Sequence, residues 1–254
     1  MKIKRIVKAF ISLGRKQLPF PFHRRHCSFK KFISDPLINN NYLLLINKLI
    51  ELEKKYGGLI TNVKRNKVSQ FDPRSKNEIE TGGMTGGDRM THHGYSCKYA
   101  EYLLQFLGSS NITLAEIGIL RGSGLAIWCD LFPSAKILGL DIDLGHIQGN
   151  WENLKSLGAF TLNSPELFEF DQLNCDSVAL EKNLNGRKIH ICIDDGLHSD
   201  KAILNTLQCV EPYLAGRFVY FIEDNKNVHK ILRKKYSYFK IDYENELTIL
   251  TKKE

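Results

Sequence analysis

The sequence predicts an α/β protein built on a doubly wound, mostly parallel sheet. From about residue 95, short apolar runs alternate with stretches of helical periodicity. Two of those runs, Ile191-Cys192-Ile193 and Phe218-Val219-Tyr220-Phe221-Ile222, end abruptly in acids: Asp194-Asp195 and Glu223-Asp224. A third, Leu114-Ala115-Glu116-Ile117, runs straight into a glycine-containing turn. Strands covered on both faces read as continuous apolar runs, and strand–helix alternation implies parallel crossovers. In such sheets functional groups collect at the carboxyl ends of the strands, so the acid-tipped runs read as a site.

The elements follow in order. Residues 2–13 interleave Ile3, Ile6, Val7, Phe10 and Ile11 with four bases, which reads equally as a short surface-binding helix or a loosely ordered basic tail. Tyr42, Leu45, Ile46, Leu49 and Leu52 recur at threes and fours, predicting a helix over 37–56 that Gly57-Gly58 end. The polar, glycine-rich stretch 61–91 reads as a flexible connector or lid without packed elements. Helices are expected over 95–107, 122–131, 149–157, 175–184, 199–211 and 226–236. The strands between them are expected at 112–117, 136–141, 167–170, 188–193 and 217–222. Two final strands, 237–243 and 246–251, turn at Glu244-Asn245 and would place one antiparallel strand in the sheet. The organisation is thus a basic arm (1–34), a helix with connector or lid (35–91), and the main α/β domain (92–254).

Charge sorts the functional classes. The formal net charge is +8, but residues 1–34 hold ten Lys/Arg and no Asp or Glu. The rest of the chain has 26 bases against 28 acids, so the high isoelectric point belongs to the arm and no nucleic-acid partner is expected for the main domain. Six cysteines without Cys-x-x-Cys or zinc spacing suit reduced core thiols and a cytoplasmic location. No apolar run is long enough for a transmembrane helix. The arm lacks the uninterrupted apolar core of a secretory signal, although its charge suits the inner face of an anionic membrane or a biosynthetic complex.

The turn Gly118-Ile119-Leu120-Arg121-Gly122-Ser123-Gly124 joins a strand to a helix. Gly118 permits a tight turn, and Gly122 and Gly124 would let a ligand approach the helix N-terminus. About 20 residues on, Asp141 ends the next strand, where a carboxylate typically bonds ribose hydroxyls. Together they point to a nucleotide-type cofactor. Glu116 beside the turn would repel a pyrophosphate, and the glycine spacing is not that of dinucleotide sites, so NAD is the weakest option.

Glu116-x-Gly118-x-x-x-Gly122, Asp141 and Phe170-Asp171-Gln172 resemble the class I S-adenosylmethionine-dependent methyltransferases. Asp195-Gly196-Leu197-His198 with Ile222-Glu223-Asp224 is further similar to their metal-dependent sugar O-methyltransferases of the macrocin and mycinamicin type and to related cephalosporin-pathway proteins. Asp88-Arg89-Met90-Thr91-His92-His93-Gly94-Tyr95 with Tyr99 resembles a segment those proteins carry ahead of the sheet, with Arg89 in place of a lysine. The resemblance covers about residues 85–225. It implies a Rossmann-like fold, with Glu116, Gly118, Gly122 and Gly124 at the methionine end of the cofactor, Asp141 at its ribose, and Asp171 and Gln172 near its adenine or reacting end. It also implies a Mg²⁺-type cation on Asp195, Glu223 and Asp224, and His198 as general base toward a hydroxyl of a sugar or glycan. Asp88, Arg89, His93 and Tyr95 would belong to a substrate-facing lid.

Plainer readings stand beside these. Asp194 reads as structural, Glu223 or Asp224 as the N-cap of the following helix, and Trp128 and Phe132 as core. His92 and His93 are equally substrate contacts or exposed lid residues, and Tyr95 and Tyr99 share a face that suits packing as well as contact. A phenol O-methyltransferase and a non-catalytic scaffold of the same fold are the alternative functions; a homo-oligomer is compatible with either.

Overall fold

The computed structural model describes residues 36–253, so the expectations for the arm at 1–34 lie outside the described residues. Helix α1 (Pro36–Tyr56) forms where periodicity predicts it, burying Leu45, Ile46, Leu49, Leu52 and Tyr56 along one stripe. Gly58, at φ +70°, closes it by donating its N–H to Glu53 O at 3.2 Å.

The stretch expected to lack packed elements differs. Strands β1 (Ile60–Val63) and β2 (Met84–Gly86) pair antiparallel, with α2 (Lys76–Thr81) between them. A capping box starts α2, Ser75 N donating to Glu78 Oε2 at 2.7 Å and Glu78 N to Ser75 Oγ at 3.3 Å. The glycines here permit close approach. A Cβ on Gly83 would lie 2.6 Å from Asn62 Cα, and one on Gly87 2.1 Å from Gly58 O. Composition alone could not distinguish that use from flexibility.

The remaining elements alternate: α3 (Ser96–Leu103), β3 (Thr113–Ile117), α4 (Ser123–Leu131), β4 (Lys136–Asp141), α5 (Gly145–Ser156), β5 (Glu166–Glu169), α6 (Ser177–Leu184), β6 (Ile189–Asp194), α7 (Asp200–Val210), β7 (Leu214–Ile222), α8 (Val228–Lys235), β8 (Phe239–Glu244) and β9 (Leu247–Lys252). Helix α5 starts four residues before its predicted bound, where Asp143 Oδ1 accepts from Gly145 N at 2.9 Å. Asn245 and Glu246, both at positive φ, make the two-residue turn between β8 and β9, one residue later than expected.

The seven-stranded sheet has the order β5-β4-β3-β6-β7-β9-β8, with β9 antiparallel to both of its neighbours. This is a Rossmann-like doubly wound sheet with the expected C-terminal hairpin, and its topological switch lies between β3 and β6. One face is covered by α1, α3, α4 and α5, the other by α6, α7 and α8. Ile117 sits opposite both Leu140 and Asp194, and Asp194 opposite Ile222, so the carboxyl ends of β4, β3, β6 and β7 lie in one row. Cys129, Cys175, Cys192 and Cys209 are free thiols, as expected; Cys97 differs, being disulfide-bonded. Among the described residues no helix is long and apolar enough to cross a membrane.

Because α1 packs on α3 and α4, it is part of the core. Leu49→Ala, at a fully buried position, should cost about 2–5 kcal/mol, read as a lower denaturant midpoint at unchanged slope. A change within error would show that α1 is an appendage.

Candidate active site

Strand alternation builds the site. Side chains at i, i+2 and i+4 share a face. Leu114, Ile191, Ile193, Val219 and Phe221 pack in the core under α1, α3 and α4. Two residues further along their strands, Glu116, Asp195 and Glu223 emerge on that same face from three adjacent strands. Asp194, one residue out of phase, points to the other face, where Gln172 Nε2 donates to it at 2.7 Å and Tyr220 Oη at 3.2 Å.

Arg89 lies between the three like-facing acids, itself only 7% exposed. Its Nη2 is 2.8 Å from both Glu116 Oε1 and Asp195 Oδ2, and its Nε is 2.6 Å from Glu223 Oε1. Tyr99 Oη also donates to Glu223. Burial opposes the guanidinium's charge, but Glu223 and Glu116 hold its pKa well above the ordinary value. Burial pushes Glu223 up to about 7, with Arg89 opposing, and raises Asp195, with Glu223 adding to the rise. Glu116 is likewise raised by burial against the pull of Arg89.

The segment carrying Arg89 is tied down on both sides. Glu53 of α1, 2% exposed, accepts from Met90 N (2.6 Å), Thr91 N (2.9 Å) and Thr91 Oγ1 (2.7 Å). Sequence reading missed Glu53, although an acid four residues after Leu49, on the apolar stripe of α1, is the signal for it. Toward the sheet, Tyr95 Oη donates to Asp224 Oδ1 at 2.7 Å. His93 bridges Asp88 Oδ2 (3.1 Å) and Asp224 Oδ1 (3.4 Å) and stacks on Tyr95. The hydrogen bond that its ring donates to Asp88 pushes His93 up to about 8, against its burial. His92 is exposed, while Tyr99 is fully buried between Trp128 and Phe221.

The glycines and acids of the expected cofactor site meet beside Arg89. Gly118 and Gly122 have φ of +83° and +81°. A Cβ on Gly118 would lie 2.2 Å from Asp195 O, and one on Gly124 2.2 Å from Glu116 Oε1. These glycines therefore admit protein groups: the β6 turn at one, the Glu116 carboxylate at the other. Glu116, Gly118, Arg121 and Gly124 line a cleft closed on its far side by Thr85–Arg89. On its wall the buried Glu116 Oε2 has no hydrogen-bond partner. Asp141 accepts from Ile119 N (2.8 Å), Leu120 N (3.0 Å) and Asp143 N (3.0 Å) and is raised by burial against them. A second hollow, beyond β4 and β5, is lined by Ile142, Phe170 and Asp171 under Lys67–Gln70, with Ser69 Oγ donating to Asp171 Oδ2 at 2.5 Å. Gln172 does not face it: its amide spans Asp194, Thr206 Oγ1 (2.9 Å) and Leu197 N (2.5 Å).

His198 joins Asp195 and Asp224, each offering a ligand atom within 4.8 Å of the others. Its Nε2 is 4.0 Å from Asp195 Oδ1 and its Nδ1 3.3 Å from Glu223 O. A carbonyl oxygen only accepts, so Nδ1 carries the proton and the Nε2 lone pair is free. Asp224 reaches this group through an unusual backbone, at φ +56°. Glu223 is turned toward Arg89 and Tyr99 instead. Neither acid caps α8: Asn225 Oδ1 accepts from Asn227 N and Val228 N, both at 2.7 Å.

No family model matches the chain, and no curated protein matches it. Among solved structures it is similar to the MycE methyltransferase from the mycinamycin biosynthetic pathway in complex with Mg and SAH, at 17% identity over 62% of this chain and 49% of that chain, with a TM-score of 0.48. It is also similar to an rRNA methylase from Streptococcus thermophilus (16% identity, 61% and 93% covered, TM-score 0.43). A third is the precorrin-6y C5,15-methyltransferase from Geobacter metallireducens (14% identity, 61% and 86% covered, TM-score 0.41). The chain spans about half the length of MycE.

Arg89→Met should destabilise the protein by about 3–5 kcal/mol, because three acids lose their shared counter-charge. The loss should shrink as pH falls through the raised pKa of Glu223, since protonation removes unpaired charge; a pH-independent loss would refute the electrostatic account. In metal-free protein the His93 ring protons should titrate near pH 8 by NMR. A histidine raised above its unfolded value of about 6.5 stabilises fully below that pH, so this contribution should fade as pH rises through 8 and be absent in His93→Asn.

Proposed function

We propose that the protein transfers a methyl group from S-adenosylmethionine to a hydroxyl of a sugar or glycan, assisted by a divalent cation of the magnesium type. The observation that carries this reading is a charge imbalance at the strand ends. Asp88, Glu116, Asp195, Glu223 and Asp224 bring five carboxyl groups together around two cationic partners, Arg89 and His93, and burial raises Glu116, Asp195 and Glu223 by penalising their charged forms. Such a site favours further cations. Two subsites suit them. The orphaned Glu116 Oε2, beside the glycine turn, fits the ammonium of the cofactor's amino-acid end, while Asp141 lies at the neighbouring strand end, where a ribose is held in sheets of this kind. Asp195 and Asp224 offer hard oxygens for a divalent cation. Glu223, expected as a third oxygen donor, is held here by Arg89 and Tyr99.

When bound, that cation would supply Lewis-acid polarisation of the acceptor hydroxyl. The protein's own groups do the rest. His198 receives the hydroxyl proton at Nε2, its tautomer fixed by the Glu223 carbonyl. An aliphatic hydroxyl needs such a base more than a phenol does, which favours the sugar over the phenol acceptor. Arg89 keeps Glu116, Asp195 and Glu223 in register, so the donor and acceptor subsites keep a fixed separation.

Calorimetry should detect S-adenosylmethionine binding and none of NAD; the reverse would sink the methyltransferase reading. Glu116→Gln should weaken cofactor binding by about 10–100-fold, the worth of one hydrogen bond to a charged group. His198→Ala should lower turnover by about 10²–10⁴ with cofactor affinity unchanged. Chelation by EDTA should abolish turnover, and added Mg²⁺ should restore it; activity that survives both EDTA and His198→Ala would reject the cation and base assignments.

A further inference from the structure

Residues 35–254 are nearly balanced in charge, with 26 bases against 28 acids, yet the charge is segregated. Acids concentrate at the strand ends; bases concentrate on α8. The stretch from Lys226 to Lys240 holds six Lys/Arg and no Asp or Glu. Helix α8 buries Val228, His229 and Leu232 and exposes Lys230, Arg233, Lys234 and Lys235. Lys230, Arg233 and Lys234 stand at i, i+3 and i+4 on one face, where like charges repel and local helix stability suffers. Lys252, opposite Phe239 in the ladder, lies on the face of the sheet that α8 covers. The neighbouring acids are engaged elsewhere: Asp242 and Glu244 with Lys98, Glu246 with Lys226, and Glu211 as acceptor for Tyr238 Oη at 2.6 Å. Beside the bases, Tyr236, Tyr238 and Phe239 pack ring against ring, with Tyr238 52% exposed. The field of the patch is felt within the helix, where burial, Arg233 and Lys230 together pull His229 below its ordinary pKa.

We propose that the outer face of α8, with Lys252 and the Tyr236–Tyr238 rim, is a docking surface for an anionic lipid bilayer. The apolar stripe of α8 is already spent on the core, so attachment is by charge at the headgroup plane, without insertion. The outer face of a helix is convex, which suits a lipid plane better than a nucleic-acid strand, for which single-strand binders use a groove. Tyrosine rings with a polar tip and an apolar body suit the rim of such a contact. The chain's other concentration of base, residues 1–34, would add a second electrostatic contact with the same charge preference. The proposal is independent of the reaction assigned to the strand ends.

The test is co-sedimentation of the full chain with vesicles of phosphatidylcholine alone and of phosphatidylcholine mixed with phosphatidylglycerol, over a salt series. Binding should require the anionic lipid and weaken as salt screens the charges. Lys230→Glu/Lys234→Glu, with the arm intact, should lower partitioning by about a hundredfold or more, since each reversal changes the charge by two. The milder Lys230→Gln/Lys234→Gln should lower it roughly fivefold per charge removed, at unchanged thermal stability. Equal binding to neutral vesicles, or unaltered partitioning of both variants, would overturn the proposal. Binding of a nucleic-acid duplex in preference to the anionic vesicles would also overturn it.

Discussion

One buried guanidinium holds the strand ends together. Three adjacent strands deliver Glu116, Asp195 and Glu223 to the same face, and carboxylates that close together repel one another in a medium that screens poorly. Arg89 contacts all three from one position because its planar fork presents several donors at once; a lysine ammonium in its place would act as a point charge. Since Arg89 arrives from a segment fixed by Glu53 of α1, the polypeptide ahead of the sheet is a structural component of the site.

The same close packing explains the glycines. Gly118 and Gly124 would meet Asp195 O and the Glu116 carboxylate if either carried a Cβ, so the turn is shaped first by the protein's own approach. That approach sets Glu116 deep beside the helix start with one oxygen paired to Arg89 and the other unpartnered. The proposed role of Glu116 toward the cofactor's ammonium rests on that unpaired oxygen more than on any glycine spacing.

The distribution of charge separates two roles. Glu116, Asp195, Glu223 and Asp224 gather where strands end under the Asp88–Tyr95 segment, and Lys230, Arg233, Lys234 and Lys235 lie on the solvent face of α8. Helix α8 begins four residues after Asp224, yet Asn225 caps it and leaves the acids to the site. Net charge averaged over residues 35–254 conceals this pairing of poles, since 26 bases against 28 acids says nothing of where each sign sits.

Period-two alternation, helical stripes and turn residues are local properties, and the sequence by itself determined what depends on them. The parallel order of short strands and helices, the terminal hairpin, α1, and the gathering of Glu116, Asp141, Asp195, Glu223 and Asp224 at one sheet edge were all legible. So was the distinction between Asp194 and its neighbour, since adjacent strand residues face opposite ways. What sequence could not supply was which particular side chains and strands pair across long stretches of chain. The pairing of β1 with β2, the grip of Glu53 on Met90 and Thr91, the turning of Gln172 toward Asp194, and the capture of Glu223 by Arg89 and Tyr99 all join residues 20 to about 130 positions apart. Those contacts exist only once the sheet has brought its strand ends together, and tertiary packing alone decided them.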